Sequence, residues 1–411
     1  MPREDLLEYQ SGLLEKMVRH ARAHVPFYRN RLEFLFAEDG RFMMERWREL
    51  PTLTRAAAQT AGEELFAAEV PSDSGGWSER QTSGSTGTPL RHRRSNIANF
   101  VSMCVKQRDY EAYQLNFDSA VASVQAIHSG PSDIPEGAAR RWNFYGSGPI
   151  LVFDVRSSVA EQLQWLEKVR APYLRVFASL LKGLAEHALR EGSSLKFEAM
   201  LPYGENLSPE IREIATRAFS GKVIGSYGST ETGRLAAECA ICGRYHVPAE
   251  AVLVEILLSD GKAAQAGEVG RVVVTPFYNF AMPLLRYEIG DLAEAGPDGE
   301  CDFTLPSLNR ILGRTRNLFK LRDGSQIWPD TRTSEMQRYI GFAQLQIVQT
   351  SFDEVEVRYV PDGSARVPDE AGLQEYFRSV IHPSLKVKAV AVEEIARSAS
   401  GKFEDYVSLV G

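Results

Sequence analysis

Residues 82–89 read Thr82-Ser83-Gly84-Ser85-Thr86-Gly87-Thr88-Pro89, just ahead of Leu90. Gly84 and Gly87 reach backbone angles that other residues avoid, so main-chain N–H groups can turn toward an anion. Ser83, Ser85 and Thr86 add hydroxyl donors, and Thr82 opens the run. The stretch reads as a loop that holds phosphate. It is not the common nucleotide P-loop, which needs a lysine after its last glycine; Thr88 stands there instead. Taken alone, a flexible Gly/Ser linker is the competing reading.

The 411 residues are enough for two or three domains, and 44% hydrophobic with 25% charged residues is ordinary for a globular chain. A net charge of -7 argues against a nucleic-acid partner, because no basic excess is present to meet a phosphate backbone. The short clusters Arg91–Arg94 and Arg140–Arg141 read as solvated faces. No apolar run approaches the roughly 20 residues of a spanning helix. The opening Met1-Pro2-Arg3-Glu4-Asp5 lacks the apolar stretch of a signal peptide. The expected location is therefore the cytoplasm, with no membrane partner; a homodimer stays open as an assembly.

Four cysteines are few for a disulfide scaffold. Cys239 and Cys242 form Cys-x-x-Cys, followed by His246, and in a reducing compartment this spacing suggests metal before disulfide. Two reduced cysteines in a loop is the alternative. Cys104 lies on a helical pattern and reads as core.

Apolar spacing predicts helices over 5–23 and 42–49, a helix-rich stretch from Asp154 to about Glu191, and a capped helix over Ser208–Phe219. Short β-rich runs occupy Phe197–Tyr203, Lys222–Tyr227, Ala251–Leu258 and Gly270–Pro276. This alternation predicts an α/β fold with a largely parallel sheet, and later strands that are antiparallel or barrel-like. Composition changes near residue 313. Beyond it, strands are expected at Leu345–Gln349, Glu354–Tyr359 and Lys386–Val392, with a helix at Leu373–Ile381. The expected division is a large α/β domain over 1–312 and a small α+β domain over 313–411.

Further motifs sit at strand ends. Ser226-Tyr227-Gly228-Ser229-Thr230-Glu231 offers a ring that can stack on a base and a carboxylate that can hold Mg²⁺. Tyr203-Gly204-Glu205 ends another strand in the same style. Asp291, in Arg286-Tyr287-Glu288-Ile289-Gly290-Asp291, can accept two ribose hydroxyls. Gly313-Arg314-Thr315-Arg316-Asn317 marks the composition change, and Ser400-Gly401-Lys402 lies near the C-terminus.

In this order and at these distances, residues 80–405 resemble the adenylate-forming superfamily of acyl-CoA synthetases, peptide-synthetase adenylation domains and luciferases. Gly204–Pro209, Glu238-Cys239 with His246-Val247, and Ala281–Tyr287 are most similar to the phenylacetate–CoA ligase family. The resemblance implies that Thr82–Pro89, with Thr86, wraps the ATP phosphates. It places Gly204 and Glu205 near the adenine, with Tyr227 stacked on it beside Gly228. Thr230 and Glu231 would meet the phosphate and Mg²⁺, and Asp291 the ribose, helped by Arg314. Lys402, from a mobile small domain, would neutralise charge between the carboxylate and the α-phosphate. Some relatives place cysteines shortly before the Gly-Arg motif, which favours Cys301 as the fourth ligand of a structural Zn²⁺ with Cys239, Cys242 and His246.

The implied activity is ATP- and Mg²⁺-dependent. A carboxylic acid, aromatic by the subgroup, becomes an acyl-adenylate with release of pyrophosphate, and the acyl group passes to coenzyme A. Two departures bear on the second step: Arg316 and Asn317 stand where the family carries an acidic hinge, and Leu90 where it often has lysine. Transfer to a carrier protein or an amine stays open, as does a nucleotide-binding protein without turnover. The set Thr86, Glu231, Asp291 and Lys402 speaks against the last. The acid pocket is expected between the 120–150 region and the strand ends at 203 and 226, with Trp142 and Tyr145–Gly148 as candidate walls.

Overall fold

The computed structural model describes residues 2–81, 90–127, 141–143, 146–297, 299, 301–329, 331–364, 366–397 and 402–410, with backbone alone at 316 and 334. It is a mixed α/β structure with three main sheets.

The first sheet is all parallel. Its strands lie in the order Ile150–Asp154, Val121–Gln125, Tyr173–Phe177, Ala199–Tyr203, Lys222–Val223. The helices Val159–Val169, Ala178–Glu191 and Pro209–Phe219 cover one face, burying Leu163, Leu166, Leu181, Leu184 and Phe219 against Leu174, Val176 and Met200. Over the opposite face Tyr110, from the helix Asn96–Ala112, meets Trp142, Tyr173 and Leu201. Side chains alternate between faces along each strand, so Tyr173 and Leu174 serve different cores. Ser208 caps its helix through the Ile211 N–H at 3.2 Å, with Pro209 at the first turn, as its sequence predicts.

The second sheet is antiparallel, in the order Val252–Leu257, Val269–Pro276, Tyr287–Ala295, Ser307–Arg314, Tyr245–His246, Gly233–Glu238, Ser226–Ser229. The helix Arg3–His24 places Leu14, Met17, Val18 and Ala21 in a single stripe, and that stripe joins the core of this sheet. Arg286 ties the segment around residues 48–50 to this sheet: its guanidinium reaches the carbonyls of Arg48 and Leu50 and the Glu255 carboxylate.

After Arg314 the chain forms a four-stranded mixed sheet, Lys386–Ala391, Glu354–Pro361, Phe342–Gln349, Tyr406–Ser408, packed on the helix Glu370–Val380. Phe319, Ile340, Val357, Leu373 and Phe377 make a core of its own. A large N-terminal part and a smaller C-terminal part are thus both α/β in character.

Four local readings change. Within Asp154–Glu191, Tyr173–Phe177 is a strand, not helix; it lies inside the parallel sheet, and a run buried on both faces carries no alternation to reveal it. Lys222–Tyr227 is divided, with Lys222–Val223 in the parallel sheet and Ser226–Ser229 in the antiparallel one. Arg91–Arg94 is not a solvated face but a strand. Arg91 and Arg93 pair outward with Glu79, while His92 and Arg94 are buried and Arg94 bonds Asn99 and the Ala98 carbonyl. Cys104 is half-buried rather than core.

Candidate active site

A cleft of about 370 Å³ opens where the parallel sheet, the antiparallel sheet and the C-terminal part meet. Its lining includes Gly204, Glu205, Tyr227, Gly228, Thr230, Glu231, Asp291, Arg314 and Lys402. All of these were selected from sequence. Arg55, Asn206 and Trp328 line it too, and no motif pointed to them. The residues Thr82, Ser83, Gly84, Ser85, Thr86 and Gly87 lie outside the described residues. So do Arg140, Tyr145, the run 398–401 and the Arg316 side chain.

Asp291 sits at the centre of a charge-balanced group. Tyr227 donates its hydroxyl to Oδ2 at 2.8 Å, and Arg314 Nε lies 3.1 Å from Oδ1. Burial and the Asp291 carboxylate push the Tyr227 hydroxyl far above the ordinary phenol range, so it stays a donor. Arg314 also bonds the Ile289 carbonyl at 3.0 Å, which holds the end of its strand in place. Glu231 is 3% exposed; Thr230 donates to its Oε2, and Arg55 stands 3.8 Å from its Oε1, beyond hydrogen-bonding reach. The Glu231 carboxylate therefore suits a hard cation that also meets a phosphate.

Glu205 joins the two parts of the chain. Its oxygens accept the Ser179 N–H at 2.7 Å and the Phe403 N–H at 2.6 Å, and Arg397 lies 3.8 Å away. Next to Phe403, Lys402 is half-buried in the cleft. Burial, then Arg314, lower its pKa, against the opposing pull of Glu205, Asp291 and Glu231. Two glycines are dictated by space. A Cβ at Gly204, where φ is +77°, would stand 3.1 Å from the Phe177 ring and 3.4 Å from Lys402 Cε. At Gly313 it would meet the Trp328 ring at 2.8 Å. Trp142, a candidate pocket wall, is buried among Tyr110, Phe117 and Tyr173, and its indole N–H bonds the Ser119 carbonyl.

A second cluster lies beside the inner strand Tyr245–His246 of the antiparallel sheet. The ligand atoms of Cys239, Cys242, His246 and Cys301 all fall within 4.8 Å of one another. Cys239 Sγ is 3.7 Å from Cys301 Sγ, and Cys242 Sγ is 3.4 Å from His246 Nε2. A tetrahedron with Zn–S bonds of about 2.3 Å has edges near 3.8 Å. The Leu305 carbonyl lies 3.1 Å from His246 Nδ1, so Nδ1 carries the proton and Nε2 turns its lone pair to the thiols. The donor set and its spacing fit Zn²⁺.

No family model matches the chain. Protein CapK of Staphylococcus aureus is 25% identical over 209 residues, a match that covers 49% of this chain and 44% of that protein. The chain thus spans less than half the length of this curated relative. Among solved structures, 2-hydroxyisobutyryl-CoA ligase in the postadenylation state with 2-HIB-AMP superposes with a TM-score of 0.75 at 18% identity, over 97% of this chain and 88% of that one. The same ligase in the thioesterification state with CoA gives 0.64 at 19% identity, over 100% and 91%. O-succinylbenzoate coenzyme A synthetase (MenE) of Bacillus subtilis, in complex with AMP, gives 0.53 at 15% identity, over 80% and 67%. No described helix is long and apolar enough to cross a membrane. The chain has the fold of the adenylate-forming acyl-CoA ligases.

Proposed function

We propose that the protein is an ATP-dependent acid–CoA ligase. The observation that carries this reading is Lys402: it reaches from the C-terminal part into a cleft already lined by Glu231, Asp291 and Arg314. Asp291 and Tyr227 would receive the nucleoside, and Glu231 with Thr230 would hold Mg²⁺ at the phosphates. Mg²⁺ would neutralise phosphate charge. A carboxylate oxygen of the acid attacks the α-phosphorus, a P–O bond forms, the bond to the β-phosphate breaks, and pyrophosphate leaves. The Lys402 ammonium offsets the charge gathered between the two anions. The coenzyme A thiol, losing its proton, then attacks the acyl carbon and expels AMP.

The higher TM-score to the postadenylation state supports an arrangement suited to the first step. The second step would need rotation of the C-terminal part about Gly313–Asn317, which makes 1–312 and 313–411 the moving units. An aromatic acid is the finer reading, supported by the rings of Tyr203, Tyr110 and Trp142 beside the sheet. Zn²⁺ on Cys239, Cys242, His246 and Cys301 would be structural, since all four positions are protein donors. Pyrophosphate release across a panel of acids, with and without coenzyme A, tests the reading. Release without any CoA-dependent thioester would move transfer to a carrier protein or an amine ahead.

A further inference from the structure

The parallel sheet changes direction at one place. From Val121–Gln125 the chain goes to the edge strand Ile150–Asp154, and from there to the other side, Tyr173–Phe177. The switch point lies between the C-terminal ends of Val121–Gln125 and Tyr173–Phe177, where open α/β sheets bind ligands. Arg175 sits there. Its Nη1 bonds Gln125 Oε1 at 3.0 Å, and its guanidinium stacks 4.0 Å from the centre of the Tyr203 ring. Tyr203 precedes Gly204 of the cleft, and Arg234 pairs in register with Gly228 of the cleft. The switch point therefore adjoins the adenylate cleft.

Two more cations gather at Tyr110, which packs with Tyr173 and with Leu201, the register partner of Arg175. Lys106 Nζ is 5.4 Å from the Tyr110 ring centre, and the Arg234 guanidinium is 6.0 Å from it. Arg234 pairs with Asp109 at 3.4 Å. Among the described residues no carboxylate forms an ion pair with Lys106 or Arg175, so among those residues the three cations face one carboxylate, Asp109, which Arg108 shares at 3.8 Å. The field is visible in Tyr110. Burial raises its hydroxyl pKa, yet Lys106, Arg234 and Arg175 outweigh burial and hold it below the ordinary phenol value. Lys106 is raised by Tyr110, but burial and the two guanidiniums lower it on balance. A small cavity of about 40 Å³ lies against Lys106, Tyr110, Phe117 and Trp142. Cations that no described carboxylate balances, in a half-buried, ring-lined place, are costly unless an anion joins them.

We infer that the acid activated here carries a second anionic group, received by Lys106 and Arg175 at the switch point. This rests on the ligase reading and narrows its substrate class: the near carboxylate meets Lys402, and the far anion meets the basic group.

The test is pyrophosphate release by the full chain with matched acids, hexanoate against adipate and phenylacetate against 1,4-phenylenediacetate. The diacid should exceed its monoacid in kcat/KM by about 30-fold or more. Lys106→Met and Arg175→Met should each cut the diacid's advantage by a similar factor, mainly through KM, and Lys106→Arg should restore most of it. Preference for the monoacids in the unaltered protein would overturn the inference. So would an equal fall on both acids in Lys106→Met, the mark of a merely structural lysine. Release with neither class would sink the ligase reading instead. Calorimetric titration of adipate would then decide the site by itself: binding that Lys106→Met weakens supports it, and absence of binding overturns it.

Discussion

The cleft at Asp291 and the cluster at Cys239 both gather reactive side chains, and they are built in opposite ways. The cleft draws on both parts of the chain and encloses about 370 Å³. Its groups are charge-paired but leave room between them. In the cysteine cluster, four donors close to within 4.8 Å of one another, and the His246 ring is fixed by the Leu305 carbonyl. An open polar space bounded by a lysine from a second core suits a reaction. A closed set of three thiols and an imidazole suits a strut, because four protein donors leave no position for substrate on a tetrahedral ion.

The largest expected effect separates the two at once. Lys402→Ala should lower adenylate formation by about 3 kcal/mol or more in barrier, while ATP still binds and the fold persists. Pyrophosphate release by the variant at a rate near that of the unaltered protein would show that the cleft does not work through this ammonium.

Next, Arg316→Pro should spare pyrophosphate release and cut thioester formation by about 30-fold or more, because proline fixes φ near roughly -65° and opposes rotation. Equal loss of both half-reactions would mean damage to the fold. Loss of neither would mean that the joint turns elsewhere.

Cys239→Ser should empty the cluster of zinc and cost about 2 kcal/mol of stability, with little change in kcat for protein that remains folded. Elemental analysis of protein purified without added metal, together with thermal unfolding, checks this. A fall in kcat at unchanged stability would give the cluster a part in the chemistry and break the contrast.

The smallest effect is a pH response. Burial and Arg314 lower the Lys402 pKa, so the needed ammonium is lost at a pH below the ordinary lysine value of 10.5. Adenylation should therefore fall by a few-fold as pH rises through that lowered pKa, and Lys402→Arg should shift the alkaline limb upward. An alkaline limb that Lys402→Arg leaves in place would belong to another group.

Sequence by itself picked out much of the cleft lining. Gly204, Glu205, Tyr227, Glu231, Asp291, Arg314 and Lys402 were legible because each sits in a short motif at a strand end or turn, where backbone geometry restricts the residue types. Cys239-x-x-Cys242 and His246 were legible as a cluster, since close spacing of such residues marks candidate metal ligands. Helices such as Pro209–Phe219 carried their own caps and period. Tertiary structure alone decided what depends on distant partners. Tyr173–Phe177 became a strand because two neighbours took its backbone hydrogen bonds. Residues 222–229 split because two sheets competed for one run. Arg94 and His92 turned inward because a strand sends alternate side chains to opposite faces. The group Lys106, Arg175 and Arg234 has no signature at all, since its members come from a helix and from two different sheets. Charge acts through space, and only the fold brings these three within reach of one another.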